Sequence, residues 1–559
     1  MKSAKLRIIF TCDTHGCFFP FDMTNGKKAT GSLSRVATYV GNLRKTYGEN
    51  LLLLDGGDIL QGQPTCYFSN FVNPETPNLA AAVMNHMQYD CMTIGNHDIE
   101  TGHDVYDKFC TELNCSVLAA NLLKKNSPAT YFKPYTIIHR QGIKIAVVGI
   151  TTQAVPYWLC EQLWHGLEFA DAVSATKHIL EEIRIKEQPD ITIGLFHTGL
   201  DGGLQAGGYT ENATRKIVAS TDSLDLVLFG HDHKSFSGYL KNSKGEDVPC
   251  LNPSSNSCLV GDAEVELYKD ETGGNRRIKI SGKLVAMDNI EPDAEFCRRF
   301  NGEYNAAKEF LDRKIGVANE RLQTRDAWFG SAPFTDFIHR IQLEVSGADI
   351  SFTAPLVYDE KIEAGPIRIR DIFNLYKYEN QIVALRMTGN EIRRYLEMSY
   401  GLWINTMTTP ADHIMNMAYY EYKGKKTAFF RNLAFNFDTA AGINYTVDAT
   451  KPRGHRINIL SMSNGTPFTD DGWYTVAMHS YRGNGGTELL TKGAGIPFDE
   501  IPQRTVFRSK SNQRSYIIRD IEKNYGIFLN KPTNWKFIPE DWASPAILRD
   551  RMELFGDNF

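Results

Sequence analysis

The chain has 559 residues, of which 42% are hydrophobic and 23% charged, and a formal net charge of −5. This length exceeds what one hydrophobic core supports, so we expect at least two domains. The acidic balance argues against a general binder of nucleic acid polymers or membrane surfaces, and no apolar run is long enough for a transmembrane helix.

The N-terminus is a short basic start with a brief apolar run, and it has neither the longer apolar stretch nor the cleavage site of a secretory signal. All ten cysteines lie at or before Cys297. Those in strand-like runs are expected to be buried free thiols. A reducing, cytoplasmic location is therefore favoured, with a periplasmic or cell-surface location as the alternative if a signal has been removed.

Residues 1–290 alternate short apolar runs with helical patterns, which predicts a layered α/β domain. Polar residues follow several of these runs, at the strand ends where α/β active sites form. The expected strands cover 5–12, 50–54, 91–94, 143–150, 191–196 and 225–229, and the expected helices cover 34–47, 77–87 and 170–186.

Residues 291–325 are predicted to be a helical linker. A second domain, of α+β type, is expected over 326–530, and residues 531–559 are expected to dock as an extended segment followed by a short helix. The elements predicted in the second domain are helices over 333–346 and 390–399 and strands over 381–387, 456–461 and 474–478.

Seven side chains that can bind a metal lie at or just after the ends of apolar runs. They are Asp13, His15, Asp58, Asn96, His197, His231 and His233. Residues two apart on an extended strand end point the same way, so Asp13 and His15 can reach one metal, and His231-x-His233 repeats this spacing. The set predicts two divalent cations, an arrangement used to hydrolyse phosphate esters.

The glycines before Asp58 allow a tight turn that aims its carboxylate into a cleft. We expect Asp58 to bridge the two cations, with Asp55 as the alternative. The mixed oxygen and nitrogen ligands suit Mn²⁺, Zn²⁺, Fe²⁺ or Co²⁺ better than Mg²⁺ or Ca²⁺.

His97 follows Asn96 and need not bind a metal itself. It is expected to protonate a leaving oxygen or to contact phosphate, and an acidic neighbour, Asp98 or Glu100, would keep it cationic. The alternative is a structural histidine.

These motifs together resemble the calcineurin-like metallophosphoesterases, which implies a four-layer α/β/β/α domain. The matching pieces are Asp13-x-His15, Gly57-Asp58, Gly95-Asn96-His97-Asp98, His197 and Gly230-His231-Asp232-His233. By this resemblance one metal takes Asp13, His15, Asp58 and His233, and the second takes Asp58, Asn96, His197 and His231. The resemblance also points to Glu100 as the partner of His97.

The second half is similar to the nucleoside-binding C-terminal domain of the 5′-nucleotidase superfamily, on the stretches 347–355, 371–399, 436–448 and 474–490. True 5′-nucleotidases usually carry a Gly-Gly-x-Arg stretch where this chain has Phe352-Thr353-Ala354-Pro355. The departure favours the bacterial 2′,3′-cyclic-nucleotide 2′-phosphodiesterase/3′-nucleotidase branch.

In this superfamily the base lies between two aromatic rings. The resemblance implies Tyr481 as one ring and either Phe435 or Phe437 as the other, with core packing as the alternative for each. Substrate contacts are also expected from Asn96, Asn380 and Gly485. Thr487 stands where a glycine or an aspartate is usual, so the sugar contact is left unassigned.

The expected activity is hydrolysis of nucleotide phosphate esters, by in-line attack of a metal-bridging hydroxide with His97, oriented by Glu100, protonating the leaving ribose oxygen. The substrates expected are 2′,3′-cyclic nucleotides and 3′-nucleotides. The alternatives are a 5′-nucleotidase or nucleotide-sugar hydrolase on the same scaffold, a DNA nuclease and a non-catalytic nucleotide-binding protein.

Overall fold

The computed structural model describes residues 2–206, 209–269, 276–376, 378–422, 425–528 and 533–556. The chain divides into two units, Met1–Phe310 and Leu311–Phe559. Residues 531 and 532, at the start of the predicted tail, lie outside the described ranges.

Two six-stranded sheets form the centre of the first unit. One contains, in spatial order, Arg276–Ala286, Leu259–Lys269, Lys2–Thr11, Leu51–Asp55, Cys91–Thr93 and Ser116–Leu118. The other contains Ser235–Lys241, Asp247–Pro253, Leu226–Phe229, Ile191–His197, Ile143–Thr151 and Tyr135–Arg140.

The two sheets pack face to face, because their apolar side chains share one buried cluster. Ile8 and Phe10 of one sheet lie in that cluster with Ile193 and Leu228 of the other. Ile9 faces the opposite way, into a cluster with the helices outside its sheet. Side chains alternate across a strand, and both faces are covered, so the strands are continuous apolar runs.

Helices cover the outer face of each sheet, which confirms the four-layer α/β/β/α prediction. The predicted helix over 77–87 begins at Leu79, because the Asn78 side chain accepts a hydrogen bond from Ala81 N and caps it. The longer helices of the unit are Leu33–Tyr47, Leu79–Met87, His103–Glu112 and Ala172–Lys186, and the helix Asn301–Asp312 runs past its last residue, Phe310. Shorter ones are Pro64–Tyr67, Asn96–Ile99, Val155–Trp158, Thr214–Ala219 and Ala294–Arg299.

The segment predicted as a helical linker is helical only to Asp312. Lys314–Ala318 is a strand that pairs with Gly365–Arg368 and with Gly526–Ile527. Its Gly316 permits close approach, since a Cβ there would lie 2.9 Å from Gly526 Cα. The helical interpretation of 291–325 therefore fails after Asp312, where the β-branched Ile315 and Val317 favour a strand.

The second unit has a five-stranded sheet, helices and several small sheets, as expected for an α+β unit. The strands of the large sheet are, in order, Thr439–Ala441, Ile350–Thr353, Trp473–His479, Gln381–Thr388 and Thr505–Asn512. A three-stranded sheet contains Ile457–Met462, Ile443–Asp448 and Trp535–Ile538. The main helices are Pro333–Ser346, Ile369–Leu375, Gly389–Trp403, Gln513–Asn524 and Glu540–Phe555.

Two predicted elements of this unit are longer than expected. The helix predicted over 390–399 runs from Gly389 to Trp403, and a capping box between Thr388 and Glu391 fixes its start. After the strand Trp535–Ile538, the tail continues as a helix of 16 residues rather than a short one.

In the described part of the chain, no helix combines the length and apolar character needed to cross a membrane. All ten cysteines are free thiols.

Candidate active site

The candidate metal ligands lie at one edge of each sheet in the first unit. Lys2–Thr11, Leu51–Asp55 and Cys91–Thr93 are parallel neighbours, and so are Ile191–His197 and Leu226–Phe229. Each ligand is either the last residue of one of these five strands or lies shortly after the carboxyl end of one. Parallel strands present their carboxyl ends together, which explains how residues far apart in sequence converge.

The side chains form two adjacent groups, Asp13–His15–His233 and Asp58–His197–His231, and the ligand atoms within each group lie within 4.8 Å of one another. In the first group, His233 Nε2 lies 3.0 Å from His15 Nε2 and 3.3 Å from Asp13 Oδ1.

In the second group, His197 Nε2 lies 3.1 Å from Asp58 Oδ2 and 3.0 Å from Asn96 Oδ1. The structure therefore brings all seven predicted ligands to one place.

Backbone carbonyls fix the orientation of two of the histidines. His197 Nδ1 donates to Gly56 O at 2.7 Å, and His15 Nδ1 donates to Gln61 O at 3.1 Å. In a neutral imidazole the other nitrogen then carries a lone pair. Both Nε2 atoms consequently point into the groups, where each could bind a metal when its ring is neutral.

Two carboxylate oxygens have the surroundings expected of metal ligands. Asp13 and Asp58 are at most 1% exposed. The polar neighbours of the two unsatisfied oxygens are themselves candidate ligands: His233 Nε2 lies 3.3 Å from Asp13 Oδ1 and His197 Nε2 lies 3.1 Å from Asp58 Oδ2. A histidine nitrogen that binds a metal no longer donates to these oxygens. A buried, ionised oxygen without a donor is costly, and a divalent cation would satisfy both. The donor set therefore fits divalent cations.

Backbone strain is concentrated at the same residues. Asp13, His15, Asp58, His231 and His233 have φ values of +48°, +47°, +59°, +83° and +55°. Non-glycine residues adopt this left-handed conformation uncommonly, and such strain clusters at functional sites. The fold therefore holds these residues in a backbone conformation that is unfavourable for them, and this conformation sets the direction of their side chains.

The two aspartates are held ionised. Burial raises the pKa of Asp13, but the hydrogen bond with His233 and the charge of His197 outweigh it and bring the pKa to about 2. Burial opposes the charges of His197 and His97 at Asp58, and the net effect is a pKa well below the usual value.

Asp55, the alternative bridging residue, has different surroundings. Burial raises its pKa to about 8, and it accepts hydrogen bonds from Thr11 Oγ1 at 2.6 Å and Gly57 N at 2.9 Å. It lies in neither ligand group. Asp58 is therefore the better candidate for the bridge.

His97 lies beside the ligands and pairs with Glu100. Its Nδ1 is 2.5 Å from Glu100 Oε2, and its backbone N–H donates to Asp58 Oδ1 at 2.8 Å. Burial lowers the pKa of His97, but the charges of Asp58 and Glu100 outweigh it and raise the pKa to about 9.

Asp98, the other candidate partner of His97, binds backbone amides instead. Its Oδ1 accepts from Ile59 N and Leu60 N, and its Oδ2 accepts from Asp58 N and Gly95 N, at 2.8–2.9 Å. Burial raises its pKa to about 6. Asp98 thus holds the turn that carries Asp58, a role that the sequence pattern did not reveal.

Glu211 is a second residue that the pattern missed. Its Oε1 lies 2.9 Å from His231 Nε2, although no spacing in the sequence links the two.

In the second unit, the structure separates the two candidate phenylalanines. Phe437 is fully buried and stacks on Trp403 with ring centroids 5.4 Å apart. Trp328 and Phe430 contact it edge-on. Phe437 is thus packed as a core residue, the alternative given for it, and this packing favours Phe435 as the second ring. Phe435 is half-buried and remains the candidate.

A buried arginine, Arg482, joins the segments that carry Phe435 and Tyr481. Its Nη2 donates to Phe435 O at 2.6 Å, and its Nη1 donates to Asn436 Oδ1 at 3.2 Å and also to Thr487 Oγ1. Arg482 immediately follows the half-buried Tyr481. The two predicted ring positions are therefore linked by one side chain, which the motif comparison did not single out.

The other predicted substrate residues of the second unit, Gly485 and Asn380, lie in packed surroundings. Gly485 has φ +93°, and a Cβ there would lie 3.0 Å from the Phe498 ring. Asn380 is 8% exposed, and its carbonyl accepts from Gln513 N at 2.7 Å. Both positions are explained by packing, so their contact with substrate remains a prediction.

Comparison with known proteins gives two family matches. Residues 6–235 match the calcineurin-like phosphoesterase family, and residues 314–492 match the 5′-nucleotidase, C-terminal domain.

Similar proteins span nearly the whole chain. A trifunctional nucleotide phosphoesterase of Bacillus subtilis is 24% identical over 603 residues, covering 97% of this chain but only 40% of that longer protein. A 2′,3′-cyclic-nucleotide 2′-phosphodiesterase/3′-nucleotidase of Haemophilus influenzae is 24% identical over 597 residues, covering 96% and 87%. A crystal structure of a provisionally named 5′-nucleotidase from Staphylococcus aureus has a TM-score of 0.76 at 21% identity, covering 96% and 100%, and shows the same fold. The chain therefore joins a calcineurin-like phosphoesterase domain to a 5′-nucleotidase C-terminal domain, each matched by its own family.

Proposed function

We propose that this protein hydrolyses nucleotide phosphate esters, as a 2′,3′-cyclic-nucleotide 2′-phosphodiesterase and 3′-nucleotidase. The observation that carries the proposal is the convergence of two ligand groups beside the His97–Glu100 pair. That combination supplies both charge neutralisation and a proton donor, which the hydrolysis of a phosphate ester requires.

Two divalent cations of the Mn²⁺, Zn²⁺, Fe²⁺ or Co²⁺ type fit the ligands. Asp13, His15 and His233 would hold one, Asn96, His197 and His231 the other, and Asp58 would contact both. When bound, such cations lower the pKa of a water molecule and neutralise phosphate oxygens.

His97 is placed to protonate the leaving oxygen. Because its Nδ1 faces Glu100, Nε2 is the atom that can donate. As the attacking oxygen bonds to phosphorus, the P–O ester bond breaks and its electron pair stays on the ribose oxygen. The proton on His97 Nε2 then neutralises that oxygen, and Glu100 stabilises the imidazolium before transfer.

The second unit would bind the nucleoside, with the base stacked on Tyr481 and Phe435. Stacking on an aromatic ring is worth about 1–3 kcal/mol per base. The cyclic and 3′ specificity is supported by the name of the Haemophilus influenzae relative and by Phe352-Thr353-Ala354-Pro355, which contains no arginine. The alternative, a 5′-nucleotidase, is supported by the name of the Staphylococcus aureus structure.

The ten free thiols support a reducing compartment, since disulfides form and persist in oxidising ones. We therefore propose the cytoplasm rather than the periplasm or cell surface.

The test compares phosphate release from 2′,3′-cyclic AMP, 3′-AMP and 5′-AMP, with Mn²⁺ and with chelator, and adds a phosphatase to detect ring opening alone. Metal-dependent turnover of the first two, with little turnover of 5′-AMP, is the expected result. Preference for 5′-AMP would establish the alternative, and no turnover of any of the three would contradict the assignment of a nucleotide substrate.

A further inference from the structure

The partner of His231 differs from those of the other ligand histidines. His15 and His197 donate from Nδ1 to backbone carbonyls. His231 instead directs Nε2 at the Glu211 carboxylate, 2.9 Å away. An ionised carboxylate only accepts hydrogen bonds, so the proton is on Nε2 and the lone pair of the neutral ring is on Nδ1.

This arrangement fixes which atom of His231 can bind a metal. With Nε2 engaged, Nδ1 is the atom left for the group with Asp58 and His197. Trp158 adds a second restraint, because its ring stacks on His231 with centroids 5.5 Å apart and planes at 28°. One contact lies in the plane of the imidazole and the other on its face, so together they define the ring orientation.

Glu211 is itself held in place. Leu204 N donates to its Oε2 at 2.7 Å, and Glu211 N donates to Leu204 O at 2.9 Å. The Glu211 carbonyl accepts from Thr198 Oγ1 at 2.7 Å, and Thr198 directly follows the ligand His197. The carboxylate that orients His231 is thus tied to the strand end that supplies another ligand of the same group.

From these contacts we infer that Glu211 is a positioning residue for the metal held by Asp58, Asn96, His197 and His231, and that it raises the affinity of this position alone. A carboxylate on the outer nitrogen fixes the tautomer and makes the imidazole a stronger donor, and losing such a partner typically costs 10- to 100-fold in metal affinity. Among the described residues, the group of Asp13, His15 and His233 forms no hydrogen bond or ion pair with Glu211. The inference rests on the metal assignment made in the proposed function.

The experiment is a calorimetric titration of the full-length, chelator-treated protein with Mn²⁺, with electron paramagnetic resonance to distinguish coupled Mn²⁺ pairs from isolated ions. In wild type we expect two ions and a coupled signal. In Glu211→Ala we expect one affinity to fall by about 10- to 100-fold and, at intermediate Mn²⁺, the isolated-ion signal to replace the coupled one. In Glu211→Gln the amide oxygen still accepts from Nε2, so the loss is smaller because only the charge is removed.

Asp107→Asn is the matched control, since Asp107 forms a 2.9 Å contact with His103, which is not a candidate ligand. It should leave both affinities unchanged. Unchanged binding of both ions in Glu211→Ala, or an equal loss at both positions, would overturn the inference. Should wild type itself bind no Mn²⁺ pair, the metal assignment fails instead, so the two failures are distinguishable. If Glu211→Ala does not fold, Glu211→Gln decides alone: no change in either affinity overturns the inference.

Discussion

Arg482 and Asp438 form a buried ion pair in which Arg482 Nε and Nη2 each donate to a different carboxylate oxygen at 2.8 Å. Both side chains are 1% exposed. The same guanidinium donates to the Phe435 carbonyl, and Tyr395 donates to Asp438. The pair therefore anchors a segment with a candidate base-stacking ring to the core of the second unit.

Removing the arginine should both destabilise the protein and weaken nucleotide binding. Arg482→Met leaves the Asp438 charge buried without its partner, which costs about 3–5 kcal/mol. Urea unfolding should show this loss, and Asp438→Asn in the same protein should restore part of it. KM for nucleotides should rise more than KM for p-nitrophenyl phosphate, which has no base. Equal changes in both KM values would show that Arg482 stabilises the fold without positioning the nucleoside site.

Replacing His97 should slow the reaction most for substrates whose leaving oxygen must be protonated. His97→Ala should lower kcat about 10²- to 10⁴-fold on a 3′-nucleotide, and Glu100→Gln should have a smaller effect of the same kind. An activated aryl ester, whose leaving group needs no proton, should be affected much less. His178→Ala, on the exposed face of the helix Ala172–Lys186, is the control. An equal loss on both substrates would rule out the proton-donor role.

Asp98→Asn should loosen the turn that carries Asp58. The substitution converts one acceptor oxygen into an N–H donor, so two of the four amides that Asp98 now satisfies would face a donor. Each buried amide left without an acceptor costs about 1–3 kcal/mol. We expect a loss of at least about 2 kcal/mol in urea unfolding and weaker Mn²⁺ binding by calorimetry.

Asp171→Asn is the matched control for this change. Asp171 caps a helix by accepting from Ser174 N, and asparagine caps helices about as well as aspartate. If Asp98→Asn were as mild as the control, the role given to Asp98 would be wrong.

Substitution of Phe435 should weaken nucleotide binding, whereas substitution of Phe437 should lower stability, although the two residues lie only two positions apart. Phe437→Ala empties a position packed against Trp403 and should cost about 3–5 kcal/mol of stability. Phe435→Ala should leave stability nearly unchanged and raise KM for nucleotides about 5- to 150-fold, the equivalent of 1–3 kcal/mol of stacking. Tyr481→Ala should resemble Phe435→Ala. An unaltered KM in both would remove these two rings from the nucleoside site.

The layers of the first unit were predictable because its strands are long apolar runs and its polar residues stand at their ends. The same signal placed candidate ligands such as Asp58 and His197 at the strand ends. It could not choose between Asp98 and Glu100 as the partner of His97, since the choice depends on the path of the turn at Asn96–Ile99.

Residues that act through contacts distant in sequence gave no such signal. Glu211 is 20 positions from His231 and Arg482 is 44 from Asp438, and no periodicity links either pair. The choice between Phe435 and Phe437 likewise depended on the position of Trp403 in the folded core. The local sequence pattern therefore predicts which polar side chains lie at the end of a strand. The residues that contact and orient those side chains are determined by tertiary packing, which the local pattern does not encode.

A buried histidine in the second unit should make the protein sensitive to mild acid. His339 is 4% exposed, and its Nδ1 and Nε2 lie 2.9 and 3.0 Å from the hydroxyls of Ser351 and Thr439. Ser351 gives its own proton to Gln342 Oε1 at 2.6 Å, so it accepts from Nδ1, and the lone pair of the neutral ring is on Nε2. Thr439 Oγ1 can share its proton between this Nε2 and Thr353 O, which is 3.3 Å away. This network suits a neutral ring, and burial lowers the pKa of His339 to about 3.

The sign of the effect follows from this pKa. Between pH 6.5 and 3 the unfolded chain protonates His339 and the folded protein does not, so stability is full above pH 6.5 and falls as the pH decreases. At about 1.4 kcal/mol per pH unit, His339 should account for a loss of about 2 kcal/mol between pH 6.5 and 5. Urea unfolding at both pH values should show this loss in wild type and in the exposed-site control His178→Gln, but not in His339→Gln. If His339→Gln loses as much stability on acidification as wild type, another group is responsible.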